Sequence, residues 1–203
     1  MLDKYNITQT TLKILALYTN NYTKSLHLRK ISRDIKVDVK ATQLQLKKLE
    51  KINVLSSTIK GKNKEYVLNL NNLITKYYLI MAEVFTSVIY LQKNFLIKKM
   101  IIEIENKIDD PIILFGSFVK GGHTKESDID LFAINEKKID MKIIQVVSSL
   151  VNHHISIKST NSSKFLNGLK NRDPLINEVV SDHIILKGAD RFCDIMWRYY
   201  AAR

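Results

Sequence analysis

One stretch constrains this chain more than any other: Leu114-Phe115-Gly116-Ser117, then ten residues, then Asp128-Ile129-Asp130. Ile112 to Phe115 is an apolar run of strand length, and Ile129 to Ile134 is a second. A strand therefore ends at Gly116-Ser117, and another opens with the two aspartates. Side chains two apart on a strand point to one face, so Asp128 and Asp130 project together. Two carboxylates on one face can hold Mg²⁺, a hard cation that takes oxygen ligands. Glycine at 116 lets backbone approach a ligand closely. Ser117 sits at the start of a short helix, where free N–H groups attract phosphate. Lys120 and Lys125 add positive charge beside it. A metal site and a phosphate cradle on adjacent strands describe a nucleoside-triphosphate site. An isolated Asp-x-Asp is common; its spacing from the strand-Gly-Ser element is what makes it informative.

This segment resembles the DNA polymerase β-like nucleotidyltransferase superfamily, in particular its minimal nucleotidyltransferase branch. That family's signature of Gly-Ser, about ten residues and Asp-x-Asp is matched by Gly116, Ser117, Asp128 and Asp130. The flanks match as well: Leu114-Phe115 before it, Lys120-Gly121 after it, and Ser127 ahead of the first aspartate. The resemblance spans roughly residues 95–203. It implies an α+β fold with a mixed sheet flanked by helices, and ATP or another nucleoside triphosphate as substrate. It also implies Mg²⁺ on Asp128 and Asp130, which are the catalytic residues, and nucleotide held by Gly116, Ser117, Lys120 and Ser127. The family's third carboxylate belongs on a later strand. The matching strand, His154 to Lys158, carries no Asp or Glu, and Ser156 or Lys158 stands nearest the expected place. Catalytic competence is thus in question, whereas fold and nucleotide binding are not.

The first third of the chain reads differently. Residues 1–72 hold 14 Lys/Arg against 5 Asp/Glu, a balance of +9 out of +12 for the whole chain. A polyanion is the natural partner for such a segment, a lysine-rich solvated surface the plainer explanation. Helical spacing is expected over 8–20, over 27–35 (Leu28, Ile31, Ile35) and over 39–52 with Asp38 as N-cap. Two strands, 54–60 and 65–70, should flank a Gly61-Lys62-Asn63-Lys64 turn. Three helices and a basic-tipped hairpin resemble a winged helix-turn-helix. The resemblance implies double-stranded DNA as partner, with Lys40, Gln43 and Lys47 in the major groove and Lys60, Lys62 and Lys64 on phosphate. A protein-binding winged helix is the alternative. The combined architecture is similar to archaeal proteins that fuse the two modules.

Residues 73–95 join them as a helix. Ile74, Tyr77, Met81, Val84, Val88, Leu91 and Phe95 keep a near-heptad spacing, which suggests a homodimer; packing of the helix on its own domains would serve equally. The spacing slips near Phe95 and resumes at Ile97, where residues 96–203 begin the second domain. Beyond it, a helix is expected over 139–151, a strand over 154–158, a helix from Pro174 to about Val180, a strand over 183–186 and a terminal helix over 190–200. His123 lies in the phosphate loop, within reach of a nucleotide. His153 and His154 are candidate metal ligands, although as neighbours on a strand they would face opposite ways. A single cysteine, Cys193, excludes an internal disulfide and fits a reducing, cytoplasmic setting. The greasiest run, Tyr77 to Leu91, is shorter than the ~20 residues of a membrane helix. Two functions remain open. One is nucleotidyl transfer to a hydroxyl acceptor, with a partner protein, as in toxin–antitoxin pairs, as one candidate. The other is a transcriptional regulator whose nucleotidyltransferase domain senses nucleotide with little turnover.

Overall fold

The computed structural model describes residues 7–61, 63–109, 111–124 and 126–201. These form two units. Residues up to Phe85, with Tyr200 and Ala201, make the first, and Thr86–Tyr199 the second.

In the first unit α1 spans Gln9–Ala16, shorter than the 8–20 read from sequence. The Thr8 side chain caps it by accepting from Thr11 N. The chain then tightens, with Leu17 and Tyr18 donating to Ile14 and Leu15 three residues back, and the helix ends. A two-residue strand, β1 (Leu26–His27), precedes α2 (Leu28–Ile35); it is too short to leave a period in the sequence. Asp38 caps α3 (Val39–Lys51) by accepting from Lys40 N at 2.8 Å and Ala41 N at 3.2 Å. Strands β2 (Leu55–Lys60) and β3 (Asn63–Leu68) pair antiparallel, with Lys60 opposite Asn63. Asn63 and Lys64 therefore belong to the strand and not to the turn expected over 61–64. β1 adds to the other edge of β3, giving the order β1-β3-β2. Ile14, Leu15, Tyr18, Ile31, Leu46 and Leu49 form the core beneath, all at most 2% exposed. The Tyr18 hydroxyl donates to Tyr66 O at 2.9 Å inside that core, where burial pushes the phenol well above its usual range.

α4 (Leu73–Lys93) is 21 residues long and α5 (Phe95–Ile104) follows it, the break falling at Asn94 (φ −122°, ψ 78°). Among the described residues α4 is the one helix long and apolar enough to cross a membrane, by length and composition only. Polar side chains along it bond to folded protein: Thr75 Oγ1 to Val54 O, and Ser87 Oγ to Ile185 O.

The second unit is built on β4 (Ile112–Phe115), β5 (Ile129–Ile134), β6 (Ile155–Thr160) and β7 (Ile184–Lys187), in the order β6-β5-β4-β7. β5 and β6 run parallel, and the other pairs run antiparallel. Alternation gives the sheet two buried faces. On one, Ile112, Leu114, Ile129, Leu131 and Ala133 pack with Ile97, Met100 and Ile104 of α5 and Ile144 and Val147 of α7 (Met141–Val151). On the other, Phe132 meets Phe165 at 5.8 Å between centroids, and Phe165 meets Phe192 of α10 (Ala189–Ala201) at 6.4 Å.

Phe165 belongs to α8 (Ser162–Asn171), a helix the sequence did not announce. Its Ser, Asn and Gly content argues for a loop, and only Phe165 and Leu169 mark a buried stripe. Gly168 is there for packing: a Cβ would meet Ile176 Cδ1 at 2.2 Å, so its absence admits α9 (Pro174–Ser181).

Candidate functional site

The turn between β4 and α6 (Ser117–Lys120) and the start of β5 come together at one end of the sheet. The register places Phe115 opposite Asp130, so Gly116 lies beside the Asp130 side chain. Gly116 adopts φ 73°, ψ −150°, a region that only glycine enters readily. A Cβ there would lie 2.5 Å from Asp130 Oδ2 and 3.3 Å from its Cβ. The glycine thus serves two purposes. It turns the chain, and it leaves the volume that the Asp130 carboxylate fills.

Asp130 is half-buried and Asp128, just ahead of β5, is exposed. Burial raises the Asp130 carboxyl above its usual range, and the charges of Asp128 and Glu178 raise it further; Lys158 and His154 act in the opposite sense. The carboxylates are therefore short of positive charge, which a cation would supply. Among the described residues no group of three or more His, Cys, Asp and Glu is placed to hold a metal unaided. A magnesium ion does not require one, because it commonly uses one or two carboxylates together with substrate phosphates and water. The donor set fits Mg²⁺ arriving with a nucleotide.

Ser117, half-buried, opens α6, and Val119 N and Lys120 N close back on Gly116 O at 3.2 and 3.1 Å. Lys120 pairs with Glu178 of α9 at 2.8 Å, and that hydrogen bond holds its ammonium above the usual lysine range. Ser127 Oγ accepts from Thr124 N at 2.8 Å, so its hydroxyl shapes the loop before Asp128. Five of the sequence-predicted site residues (Gly116, Ser117, Ser127, Asp128 and Asp130) thus line two adjoining loops at one strand end, with Lys120 on α6 beside them. Lys125 lies outside the described residues.

Register shows which β6 residue stands opposite Asp130. Ser156 of β6 pairs directly with Asp130, and Lys158 pairs with Phe132. Two groups were missed. Glu178 is far off in sequence and reaches the site through α9, which no local signal reveals. His154 Nδ1 lies 3.2 Å from Asp128 Oδ2. His153 Nδ1 lies 3.2 Å from Val151 O, and both histidines precede β6 (Ile155–Thr160) rather than lying on it.

The Asp130 environment carries a stability consequence. A carboxyl raised in the folded state binds protons more tightly there, so the metal-free protein should lose stability as pH rises through and above the ordinary carboxylate range. Asp130→Asn should remove that loss and raise the metal-free stability, by less than about 1 kcal/mol because solvent screens these groups. Thermal melts at several pH values check it; an unchanged pH profile in Asp130→Asn would remove the repulsion from the account.

In the first unit, Lys40, Gln43 and Lys47 are all exposed on α3. The hairpin lysines are engaged: Lys60 pairs with Glu65 at 3.1 Å and Lys64 with Glu50 at 2.8 Å. Burial opposes ionisation of Glu50, yet hydrogen bonds from Lys64 and Ser57 hold it below the usual carboxylate range. Lys62 lies outside the described residues.

No protein of curated function matches the chain. A solved structure described as "Crystal structure of the toxin-antitoxin with AMP-PNP" aligns with 52% of this chain and 87% of its own, at 18% identity and a TM-score of 0.37. Residues 97–186, from α5 through β7 and including Gly116, Ser117, Asp128 and Asp130, match the nucleotidyltransferase domain family, so the C-terminal part of the chain is similar to a nucleotidyltransferase domain.

Proposed function

We propose that the second unit binds a nucleoside triphosphate with Mg²⁺ and transfers its nucleotidyl group to a hydroxyl acceptor. The observation that carries this is the fit of the Asp130 carboxylate into the space vacated at Gly116. It locks the glycine-serine turn and the aspartate pair into one site. Asp128 and Asp130 would hold the cation, which on binding neutralises phosphate charge and stabilises both attacking and leaving oxygens. The Gly116–Ser117 turn would hold the β- and γ-phosphates. Phosphate oxygens would compete with Glu178 for Lys120. The acceptor oxygen attacks the α-phosphorus, the bond from that phosphorus to the α–β bridging oxygen breaks, and pyrophosphate leaves with that electron pair. The hydroxyl proton passes to solvent or to a base supplied by the acceptor. β6 offers no carboxylate for that task, so turnover by the chain alone should be weak, with a partner protein as the acceptor or activator. Loss of a placed base costs about 10²–10⁴ in rate. Calorimetry should show ATP binding that requires Mg²⁺, with pyrophosphate release slow until a partner is added. Binding indifferent to Mg²⁺ would refute the site.

The first unit reads as a winged helix-turn-helix that binds duplex DNA, α3 entering the major groove through Lys40, Gln43 and Lys47. The support is that all three are exposed on one helix of a basic segment. Phosphate contacts by Lys60, Lys62 and Lys64 would give a log–log salt dependence of about −2.7. Because Glu65 and Glu50 hold the hairpin lysines, Glu65→Gln should tighten DNA binding at low salt by a few-fold. Weaker or unaltered binding would mean that Lys60 does not reach phosphate. A regulator that senses nucleotide through its second unit is the reading that DNA binding without turnover would favour.

A homodimer on α4 is proposed as well, since Tyr77, Val84 and Val88 are 48–55% exposed at heptad-like spacing. Light scattering should give twice the chain mass at micromolar concentration and a monomer for Val84→Glu.

A further inference from the structure

We infer that a cavity lined by Phe118 of α6 is a nucleobase subsite; the inference rests on the nucleotidyl-transfer reading above. The cavity, about 520 Å³, is lined chiefly by Asn94, Phe95, Phe118, His123, Thr124 and His153. Pockets of this size suit small planar ligands.

Its floor is a fixed ring platform. Phe118 follows Ser117 directly in α6 and is 4% exposed. Its backbone oxygen accepts from the Tyr90 hydroxyl at 3.2 Å. His123 lies flat on the Phe118 ring, with centroids 4.3 Å apart and planes 11° from parallel. His153 meets the same ring edge-on at 6.3 Å. His123 is exposed, so the imidazole is held in one orientation by Phe118 while its other face is open. Phe95, at the start of α5, is 77% exposed, the second most exposed of the large apolar side chains. Leaving a phenylalanine so open is costly unless something covers it. A planar ring laid on His123 and against Phe95 would bury both.

Two details select a nucleobase among planar rings. Nucleobases stack on aromatic and histidine side chains alike. Asn94 is oriented by its Nδ2 donation to Tyr90 O at 2.8 Å, and its amide oxygen can accept from an exocyclic amino group. A smaller hollow, about 320 Å³, shares His153 and includes His154. His154 Nδ1 is the atom 3.2 Å from Asp128 Oδ2. The two hollows thus share His153, and the smaller one reaches His154, the imidazole beside Asp128.

The base could belong to the donor triphosphate or to the end of a single-stranded nucleic-acid acceptor. Three probes separate these sources: Mg²⁺-ATP, Mg²⁺-tripolyphosphate, which has no base, and a single-stranded trinucleotide. Each is titrated by calorimetry into the full chain and into His123→Ala and Phe95→Ala, two exposed positions whose truncation leaves the core intact. Both variants should weaken a base-bearing probe by about five- to a hundredfold, the range for stacking on one aromatic group. Tripolyphosphate affinity should be unchanged. Loss confined to ATP assigns the cavity to the donor base, and loss confined to the trinucleotide assigns it to an acceptor base. If both variants bind every probe like the unaltered chain, the base subsite is wrong while the phosphate site stands. If the unaltered chain binds neither ATP nor tripolyphosphate, the nucleotidyl-transfer reading falls and the subsite with it.

Discussion

Asp130→Ala should reduce Mg²⁺-dependent ATP affinity by about a hundredfold or more, while leaving the metal-free protein at least as stable as before. The two halves of that expectation have one cause. Asp130 is one of two carboxylates available for a magnesium ion that takes its remaining oxygens from phosphate and water, so its removal leaves a single protein ligand. In the absence of metal, the same carboxylate is partly desolvated and lies within the field of Asp128 and Glu178, both of which oppose its charge. A residue kept for structure would lose binding and stability together. Here binding should collapse while the melting midpoint holds or rises, a split that calorimetry and a thermal melt on one sample reveal. A fall in stability equal to that of a core truncation would show Asp130 to be structural.

The second large effect needs no change to a charged group. Gly116→Ala should disable the site as thoroughly as Asp130→Ala and should also destabilise the second unit. Two costs combine. The backbone at φ 73°, ψ −150° is a conformation that alanine adopts only at about 1–3 kcal/mol. The new methyl group would stand 2.5 Å from Asp130 Oδ2, so the carboxylate must swing away or the turn must open. Either movement separates the phosphate turn from the aspartate pair. Gly121→Ala is the control. It too has positive φ, at 75°, but nothing lies within 4 Å of its would-be Cβ. It should show the backbone cost alone and keep most nucleotide affinity. Equal loss of binding in both variants would mean that the Gly116–Asp130 contact has no special place.

Much of this was legible because the informative signals are local. Gly116-Ser117 and Asp128-x-Asp130 sit at the ends of adjacent strands, β4 and β5, each marked by a short apolar run. The hydrophobic runs at 112–115 and 129–134 bracket them. Features set by distant partners were not legible. Glu178 enters the site through the packing of α9, and Gly168 makes sense only once Ile176 is seen against it. α8 was missed because its composition favours a loop and tertiary burial of Phe165 overrides that preference. The hairpin was read with a turn too long, since Asn63 and Lys64 look like turn residues until their pairing with Lys60 and Ile59 is seen. Lys60 and Lys64, read from sequence as free for phosphate, already have carboxylate partners, Glu65 of β3 and Glu50 of α3. Charge counts along a chain cannot show such pairing.

The central claim is that this chain moves a nucleotidyl group, and the position of the transferred phosphorus tests it most directly. The full chain should be incubated with Mg²⁺ and an extract of its own cells, in parallel with ATP labelled at the α- or the γ-phosphate. The account predicts that α-label becomes covalently attached to an acceptor, that γ-label is released in pyrophosphate, and that both events vanish in Asp130→Ala. Attachment of γ-label to the acceptor, or α-label attachment that persists in Asp130→Ala, would contradict it.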